Sequence, residues 1–299
     1  MSISSSEHLS NEIVFEIFDY LDGIDIYEAF SNLNCRLEQF LNLSSLLFKI
    51  KLQYSTANQI FMKNYQKILL HNKSQIFFMN VWLSALNDQF FTFYPINLSF
   101  NHLESLIVEY LESDIFISFL TNLAYLPYLS SLSMKTWNIY ANLNDIYRVI
   151  FALPTLRYGK FSLCRDDSPI SLPMTTNQQL STIEHLVISH SCKFNELFTI
   201  LSYTSQHCRL SFMDAYDDDT NIGIMSPITI YSKLKVLHIT IRSDNIDYLD
   251  SIRWKKLILE YLPQLEKFYF DYYIEFEDDT KPSKYIGQFN QFSSSFWID

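Results

Sequence analysis

The sequence predicts an α/β protein: a three-helix segment at the N-terminus, then a solenoid with a curved parallel sheet inside and helices outside. Two observations favour this fold class. Short segments with the spacing apolar-x-x-apolar-x-apolar recur through most of the 299 residues. Runs with the apolar spacing of a helix lie between them. Strand–helix units of this kind stack side by side and bury a continuous core that one unit could not form alone.

The strand-forming segments recur at nearly constant intervals. Counted from the first position of each, successive segments lie 27, 26, 27, 27, 24, 27 and 31 residues apart. Alternate residues of such a segment point inward when it forms a strand. The segments begin at Ile76, Leu103, Leu129, Leu156, Ile183, His207, Leu234 and Leu265. Those at Leu156 and His207 match the pattern least well.

Helical patterns fill the intervals between these segments. Apolar residues spaced three or four apart predict helices beginning near Ile115, Leu143, Phe194 and Ile252. Several units end at a Leu-Pro step directly before the next segment, namely Leu126-Pro127, Leu153-Pro154 and Leu262-Pro263. Proline ends a helix and favours an extended chain on either side, so each step predicts the passage from helix to strand.

The N-terminal run from residue 9 to 41, LSNEIVFEIFDYLDGIDIYEAFSNLNCRLEQFL, predicts three short helices. Ser10 is a good N-cap for the first, which has apolar residues at four-residue spacing. Asp22-Gly23 breaks that helix, and Asp25 is the expected cap of the second. The third begins near Cys35 and is expected to carry Leu37, Phe40, Leu41, Leu47 and Phe48. Helices this short bury too little surface to be very stable alone, so we expect them to pack against a partner as well as against the rest of the chain.

This N-terminal segment resembles the F-box. The usual run of that motif is Leu-Pro, Glu-Ile, Ile-Phe-x-Tyr-Leu, Asp-Leu and Cys-Arg. The matches, in register, are Leu9, Glu12-Ile13, Ile17-Phe18, Tyr20-Leu21, Asp25-Ile26 and Cys35-Arg36. Two positions depart from it: Ser10 stands where proline is usual, and Leu37 stands where a tryptophan usually follows the arginine.

The F-box resemblance implies that residues 1–50 dock on a Skp1-like adaptor, and through it on a cullin, within an SCF-type ubiquitin ligase. The adaptor contacts that it implies are Leu9, Ser10, Ile13, Ile17, Leu21, Ile26, Leu33 and Leu37. Some of these side chains must also pack between the helices, and the sequence does not divide the two roles. The alternative is a non-catalytic repeat scaffold whose N-terminal helices only cap the solenoid, because terminal repeats need such a cap.

The repeating segments resemble leucine-rich repeats, whose units run about 20–29 residues. With the F-box, and with segments such as LPTLRYGKFSL and STIEHLVISH, the chain resembles rotifer-type F-box proteins with leucine-rich-repeat substrate domains. The resemblance implies that residues 51–299 hold an unidentified target protein and that the chain positions this target without bond chemistry. In that group the sequence usually continues past a segment like FSSSFWID, so we expect the end at Asp299 to be early. Target contacts are expected between the apolar strand positions, at Glu104, Ser131, Glu184, Lys235, Glu266 and Lys267.

Composition excludes several classes of function. The chain has only four glycines, at isolated positions, so no phosphate-binding loop, dinucleotide fingerprint or nucleophile elbow can be assembled. A net charge of −11 with scattered lysines and arginines argues against a nucleic-acid partner. We therefore expect no enzymatic activity and no cofactor.

Cysteine usage and hydropathy indicate an intracellular protein. The four cysteines include no C-x-x-C pair, which fits a reducing compartment, cytoplasmic or nuclear. The N-terminus lacks the basic start and apolar core of a signal peptide. The uncharged run Ile115–Met134 is long enough to span a bilayer, but its serines, threonine, asparagine and proline suit a repeat unit better. We expect no membrane association.

Four further clusters are candidates for a chemical or binding site. His185, His190 and Cys192 lie close in sequence, but the two histidines have opposite parity along a strand, so we expect no metal site. The acidic run Asp217–Gly223 departs from a calcium loop at its glycine and lacks the bidentate glutamate. This run and Glu275–Asp279 are expected to be solvated loops that could attract a basic substrate. The aromatic stripe Phe268–Tyr273 is expected to put alternate side chains in the core.

Overall fold

The structure is a computed structural model of the chain. It describes residues 9–52, 68–69, 72–82, 91, 95–111, 113–139, 142–165, 181–190, 192–193, 196, 200, 203, 209–216, 233–242, 251–274 and 285–286. The chain divides into two compact units. Residues 1–110 with 125–129 form the first, and residues 111–124 with 130–299 form the second. The domain boundary expected at residue 50 falls inside a strand of the first unit.

The first unit joins a helical segment to parallel strands. Its elements are α1 (Asn11–Tyr20), α2 (Gly23–Phe30), α3 (Cys35–Leu41), β1 (Phe48–Leu52), a 3-10 turn (Lys73–Gln75), β2 (Ile76–Trp82) and β3 (Ser105–Glu109). Strand β2 pairs in parallel with β1 on one side and with β3 on the other. Alternate residues of these strands, among them Ile50, Val81 and Val108, are fully buried. The strands therefore present one face to the core, as the apolar spacing predicts.

The second unit alternates strands and helices. Its elements are α4 (Ser113–Leu123), β4 (Ser131–Ile139), α5 (Leu143–Phe151), β5 (Tyr158–Arg165), β6 (His185–Ile188), β7 (Cys192–Lys193), β8 (Arg209–Tyr216), β9 (Val236–Arg242), α6 (Ser251–Tyr261), β10 (Lys267–Ile274) and β11 (Tyr285–Ile286). The strand order is β4-β5-β6-β8-β9-β10-β11, with the short β7 also paired to β8. The pairings are parallel except that of β10 with β11.

The predicted repeat sets the register of this sheet. Ser131 pairs with Tyr158, Tyr158 with His185, His185 with Arg209, and Arg209 with Val236. Each partner lies one repeat interval further along the chain. All eight predicted segments, including the two weakest, lead into a described strand. The mixed α/β class with parallel strands is confirmed, the described strands do not close into a barrel, and the arrangement is compatible with an α/β solenoid.

Helices of the second unit cover one face of its sheet. Tyr147 of α5 lies 6.4 Å, centroid to centroid, from the ring of Phe161 in β5. Trp254 of α6 lies 5.5 Å from the ring of Phe268 and 5.3 Å from that of Phe270 in β10. The residues between these strand positions lie on the opposite face, here called the open face. The predicted alternation of the aromatic stripe is confirmed, because Tyr272 is buried whereas Tyr269 is 51% exposed.

Two predicted boundaries in the helical segment are wrong. Helix α2 begins at Gly23 and is capped by Asp22, whose carboxylate accepts a hydrogen bond from the Ile24 N–H at 2.9 Å. Asp25 instead lies in the first turn. Phe48 is not helical, since α3 ends at Leu41 and residues 48–52 alternate between buried and exposed as strand β1. Period-two burial, not period 3.6, decides the structure there.

The helical predictions in the second unit fare better. Helices α4, α5 and α6 lie where the apolar spacing expects them, and Leu126, Leu153 and Leu262 of the Leu-Pro steps are buried. The helix predicted near Phe194 falls mostly outside the described residues, although Glu196, Ile200 and Tyr203 are helical. The run Ile115–Met134 divides into α4, a turn and part of β4. No helix among the described residues is long and apolar enough to cross a membrane.

Gly23 gives a test of how tightly α2 approaches β1. A Cβ added there would lie 2.7 Å from Ile50 Cδ1, 2.9 Å from Phe48 Cβ and 3.1 Å from the Lys49 carbonyl oxygen. We expect Gly23→Ala to lower the free energy of unfolding by about 1–3 kcal/mol, because the strand backbone must shift. The measurement is urea denaturation.

The sign of that change is diagnostic. In a helix without this close contact, Gly→Ala would raise stability by about 0.5–1 kcal/mol. Ala29→Gly, at an exposed position of the same helix, is the matched control and should lower stability by about 0.5–1 kcal/mol through helix propensity alone. A more stable Gly23→Ala variant would contradict the close approach of α2 to β1.

Candidate functional site

Helix α1 carries apolar residues on two adjacent sides. Val14 and Phe18 are buried in the first unit. Next to that buried side, Ile13 and Tyr20 are 44% and 83% exposed, and Ile17 between them is half-buried. Residues i, i+4 and i+7 lie on one side of a helix, so these three side chains form a row, here called the α1 row. Acidic residues border the row on its other side: Glu12, Glu16 and Asp19.

The structure divides the eight expected adaptor contacts into packing and surface residues. Ile26 and Leu37 are each 2% exposed, so their side chains pack inside the first unit and could support docking only indirectly. Leu9, Ile17 and Leu21 are half-buried. Ile13 and Leu33 are exposed, at 44% and 57%. Ser10 is exposed, and its hydroxyl accepts the Ile13 N–H at 3.5 Å as the N-cap of α1.

Sequence reasoning did not include Tyr20 among the contact residues, although it is the most exposed large side chain of the helical segment. The signal that could have found it is its spacing, seven residues beyond Ile13 on the same side of α1. A half-apolar ring with a hydroxyl suits a surface that is buried by a partner.

Aromatic rings and one arginine hold the three helices together. Phe15 lies 5.3 Å from the ring of Phe40 in α3, and Phe18 lies 5.0 Å from that of Phe30 in α2. The Arg36 guanidinium donates to the Leu9 carbonyl oxygen at 2.7 Å and to the Asn11 side chain, and it lies 5.5 Å from the Phe40 ring centroid. The arginine of the motif thus ties α3 to the start of α1, which fixes how the α1 row is presented.

The helical segment is also built onto the strands of its own unit. Besides capping α2, the Asp22 carboxylate accepts the Lys51 N–H of β1 at 2.8 Å. Burial is the main reason why the pKa of Asp22 is raised. The buried Gln75 side chain donates to the carbonyl oxygens of Leu43 and Leu41, at 2.7 and 3.1 Å, which holds the α3–β1 connection against the start of β2. These contacts are what a capping role requires.

The second candidate surface is the open face of the sheet in the second unit. In register across it lie Ser131, Tyr158, His185, Arg209, Val236 and Lys267, and one step further along the strands Ser133, Lys160, Val187, Ser211, His238 and Tyr269. Most of these side chains are half-buried or exposed. Tyr269 lies 5.9 Å from the His238 ring, and the Asp271 carboxylate lies 2.7 Å from His238 Nε2.

Of the six expected target contacts, two lie on the open face, three lie directly before strands of the second unit, and one lies in the first unit. Glu184 forms an ion pair with Arg157 at 3.2 Å, and Lys235 forms one with Glu266 at 2.7 Å. Each pair joins the residues that directly precede two neighbouring strands, β5 and β6 for Arg157–Glu184 and β9 and β10 for Lys235–Glu266. These four side chains therefore form two ion pairs at the starts of the strands. Ser131 and Lys267 lie on the open face, whereas Glu104 is exposed before β3 in the first unit.

His185 and His190 have different surroundings. His185 is half-buried on the open face, with its ring 5.0 Å from that of Tyr158. His190 is buried, and its Nε2 lies 3.2 Å from the Tyr147 hydroxyl. No group of three metal-ligating side chains occurs among the described residues. The acidic runs Asp217–Gly223 and Glu275–Asp279 lie outside the described residues, so their predicted role stays a prediction.

No protein-family model, no curated protein and no solved structure matches this chain. The F-box and leucine-rich-repeat interpretations therefore rest on the residue patterns themselves and on the geometry just described.

Arg36 offers a test of how the helical segment is held. We expect Arg36→Ala to lower the free energy of unfolding by about 1.5–3 kcal/mol, the usual range for hydrogen bonds to a charged group. Amide hydrogen exchange should speed up in α1, because its N-terminus loses two contacts. Arg148→Ala is the matched control: its 3.5 Å pair with Asp145 is exposed, so the effect should stay within about 0.5 kcal/mol. Equal effects of both changes would refute the tie.

His185 predicts a pH dependence. Burial, and secondarily the positive charge of Arg209, lower the pKa of His185 below its ordinary value. Below that ordinary pKa the unfolded chain takes up a proton that the folded chain refuses, so this group makes stability fall as the pH drops from neutral. We expect His185→Asn to lose less melting temperature than wild type between neutral and mildly acidic pH. Parallel loss of melting temperature in the variant and in wild type would contradict this assignment.

Proposed function

We propose that this chain is a substrate receptor of a cullin-type ubiquitin ligase. Its helical segment docks on a Skp1-like adaptor through the α1 row, and the open face of its second unit holds a target protein. The receptor does no bond chemistry. It raises the effective concentration of the target near a ubiquitin-loaded enzyme by holding both in one assembly.

The observation that carries the proposal is the α1 row. A helix that only caps the strands needs one apolar side, and in α1 that side buries Val14 and Phe18. The second apolar side leaves Ile13 and Tyr20 exposed after folding, which is accounted for if a partner covers them. An apolar row bordered by acidic residues also has the core-and-rim make-up of a protein interface. The F-box resemblance supplies the partner.

A capping scaffold is the second candidate, and specific contacts favour it. Gly23 lies against Phe48 and Ile50, and Asp22 binds the Lys51 N–H, so the helices shield the β1 side of the strands. This role uses the buried side of the segment and leaves the α1 row without a purpose. The two candidates therefore make opposite predictions for changes confined to exposed side chains.

The test is co-purification with a Skp1-like adaptor. We expect wild type to form a stoichiometric complex and Ile13→Glu, Tyr20→Glu to lose it, because charges would be buried against an apolar surface. Both residues are exposed, so this variant should keep its circular dichroism spectrum. The matched control is Ile252→Glu, Leu259→Glu, which places the same changes at exposed positions of α6. An unchanged complex in the first variant, or none with wild type, would favour the scaffold.

A further inference from the structure

The open face is basic although the chain is acidic. The net charge of the whole chain is −11. Among the described side chains of the open face between Ser131 and Asp271, the charged residues are Lys135, Lys160, Arg209, Lys267 and Asp271, with His185 and His238 beside them. The one acid in that set, Asp271, contacts His238 at 2.7 Å. The sign of this face is therefore opposite to that of the chain.

The strand register places no carboxylate directly beside Lys160 or Arg209. Lys160 pairs with Ser133 on one neighbouring strand and with Val187 on the other. Arg209 likewise lies between His185 and Val236. Neighbouring positions of a sheet are where a charge normally finds its counter-charge, and none of these four residues is acidic. Two glutamates at the strand starts, Glu184 and Glu266, form ion pairs with Arg157 and Lys235.

The pKa of His185, which lies beside Arg209, is lowered mainly by burial, and the positive charge of Arg209 adds to this effect. Arg209 is exposed, and a neutral His185 adds no charge beside it. Displaying unbalanced cations on a sheet face lowers the affinity for cationic partners and raises it for anionic ones.

We infer that the open face of the second unit binds an extended acidic segment of the target protein, through Lys160, Arg209 and Lys267. This inference deepens the proposed function by naming the chemical class of the target. It concerns a different surface from the acidic loops, whose expected attraction of a basic substrate stays a prediction.

The spacing of the cations fits an extended peptide better than a nucleic acid. Lys160, Arg209 and Lys267 lie on β5, β8 and β10, which are every second strand in the sheet order. Because adjacent strands lie about 4.8 Å apart, Arg209 and Lys267, which share one row of the register, are roughly 10 Å apart across the sheet. Lys160 lies in the next row, so it is also offset from Arg209 by about 6.6 Å along the strands. Every third residue of a polyproline II segment points the same way, about 9.3 Å apart. A nucleic acid carries a phosphate about every 3.4 Å along each strand, so its density of negative charge far exceeds this density of cations.

The experiment uses the full chain and a fluorescein-labelled peptide with glutamate at every third position and proline between. Fluorescence anisotropy should show binding that weakens as salt is raised, and the glutamine version of the peptide should not bind. Lys160→Glu, Arg209→Glu should weaken binding at least about tenfold through like-charge repulsion. The matched control is Lys255→Glu, Lys256→Glu, which makes the same charge change at exposed positions of α6 and should stay within about twofold.

Three results would overturn the inference: no binding of the glutamate peptide, equal weakening in the control variant, or tighter binding of single-stranded RNA through the same residues. Co-purification with the adaptor is measured on the same variants. Lys160→Glu, Arg209→Glu should keep the adaptor complex, since the α1 row is unchanged. Loss of peptide binding with an intact adaptor complex in wild type would sink only this inference, whereas the reverse pattern would sink only the proposed adaptor docking.

Discussion

The parallel strand ladder with a repeat-length register is the constraint on which the rest of this structure depends. Tyr158 pairs with His185 and His185 with Arg209 because each unit returns the chain to the same height beside its predecessor. Side chains alternate across a strand, so that register also fixes which residues enter the core and which remain outside. Leu186 and Leu210 are buried, while their neighbours His185 and Arg209 cross the open face. A slip of one residue in any unit would exchange the two sets.

This constraint gives the two faces of the sheet different roles: one face packs in the core, and the other is left available for binding. Tight packing restricts the core face to apolar residues. At Gly159, for example, an added Cβ would lie 2.6 Å from the Phe161 ring. The open face carries no such demand and can hold charge of either sign. The helical segment of the first unit divides in the same way: one side of α1 packs through Phe18, and the other presents Ile13 and Tyr20. In both units the proposed recognition surface consists of side chains that packing leaves exposed.

The sequence predicted which residues form strands, but it did not predict which side chains come together on one surface, and both results have physical reasons. Period-two apolar spacing reflects burial directly, so even the weak segment at Leu156 identified a real strand. The start of α2 was missed because Asp22 serves both as a cap and as an acceptor for Lys51, a contact 29 residues away that no local pattern contains. The same holds for the basic open face: Lys160 and Arg209 lie far apart in sequence, and only the strand register brings them onto one surface. Ion pairs such as Arg157–Glu184 likewise depend on register alone.

The most direct test of two separate recognition surfaces is amide hydrogen exchange of the full chain, measured alone, with a Skp1-like adaptor and with the glutamate peptide. The account predicts that the adaptor slows exchange in residues 11–20, while exchange in β5 and β8 stays as it is in the free chain. The peptide should do the opposite. Protection of the sheet by the adaptor, or of α1 by the peptide, would contradict the account, because one surface would then serve both partners.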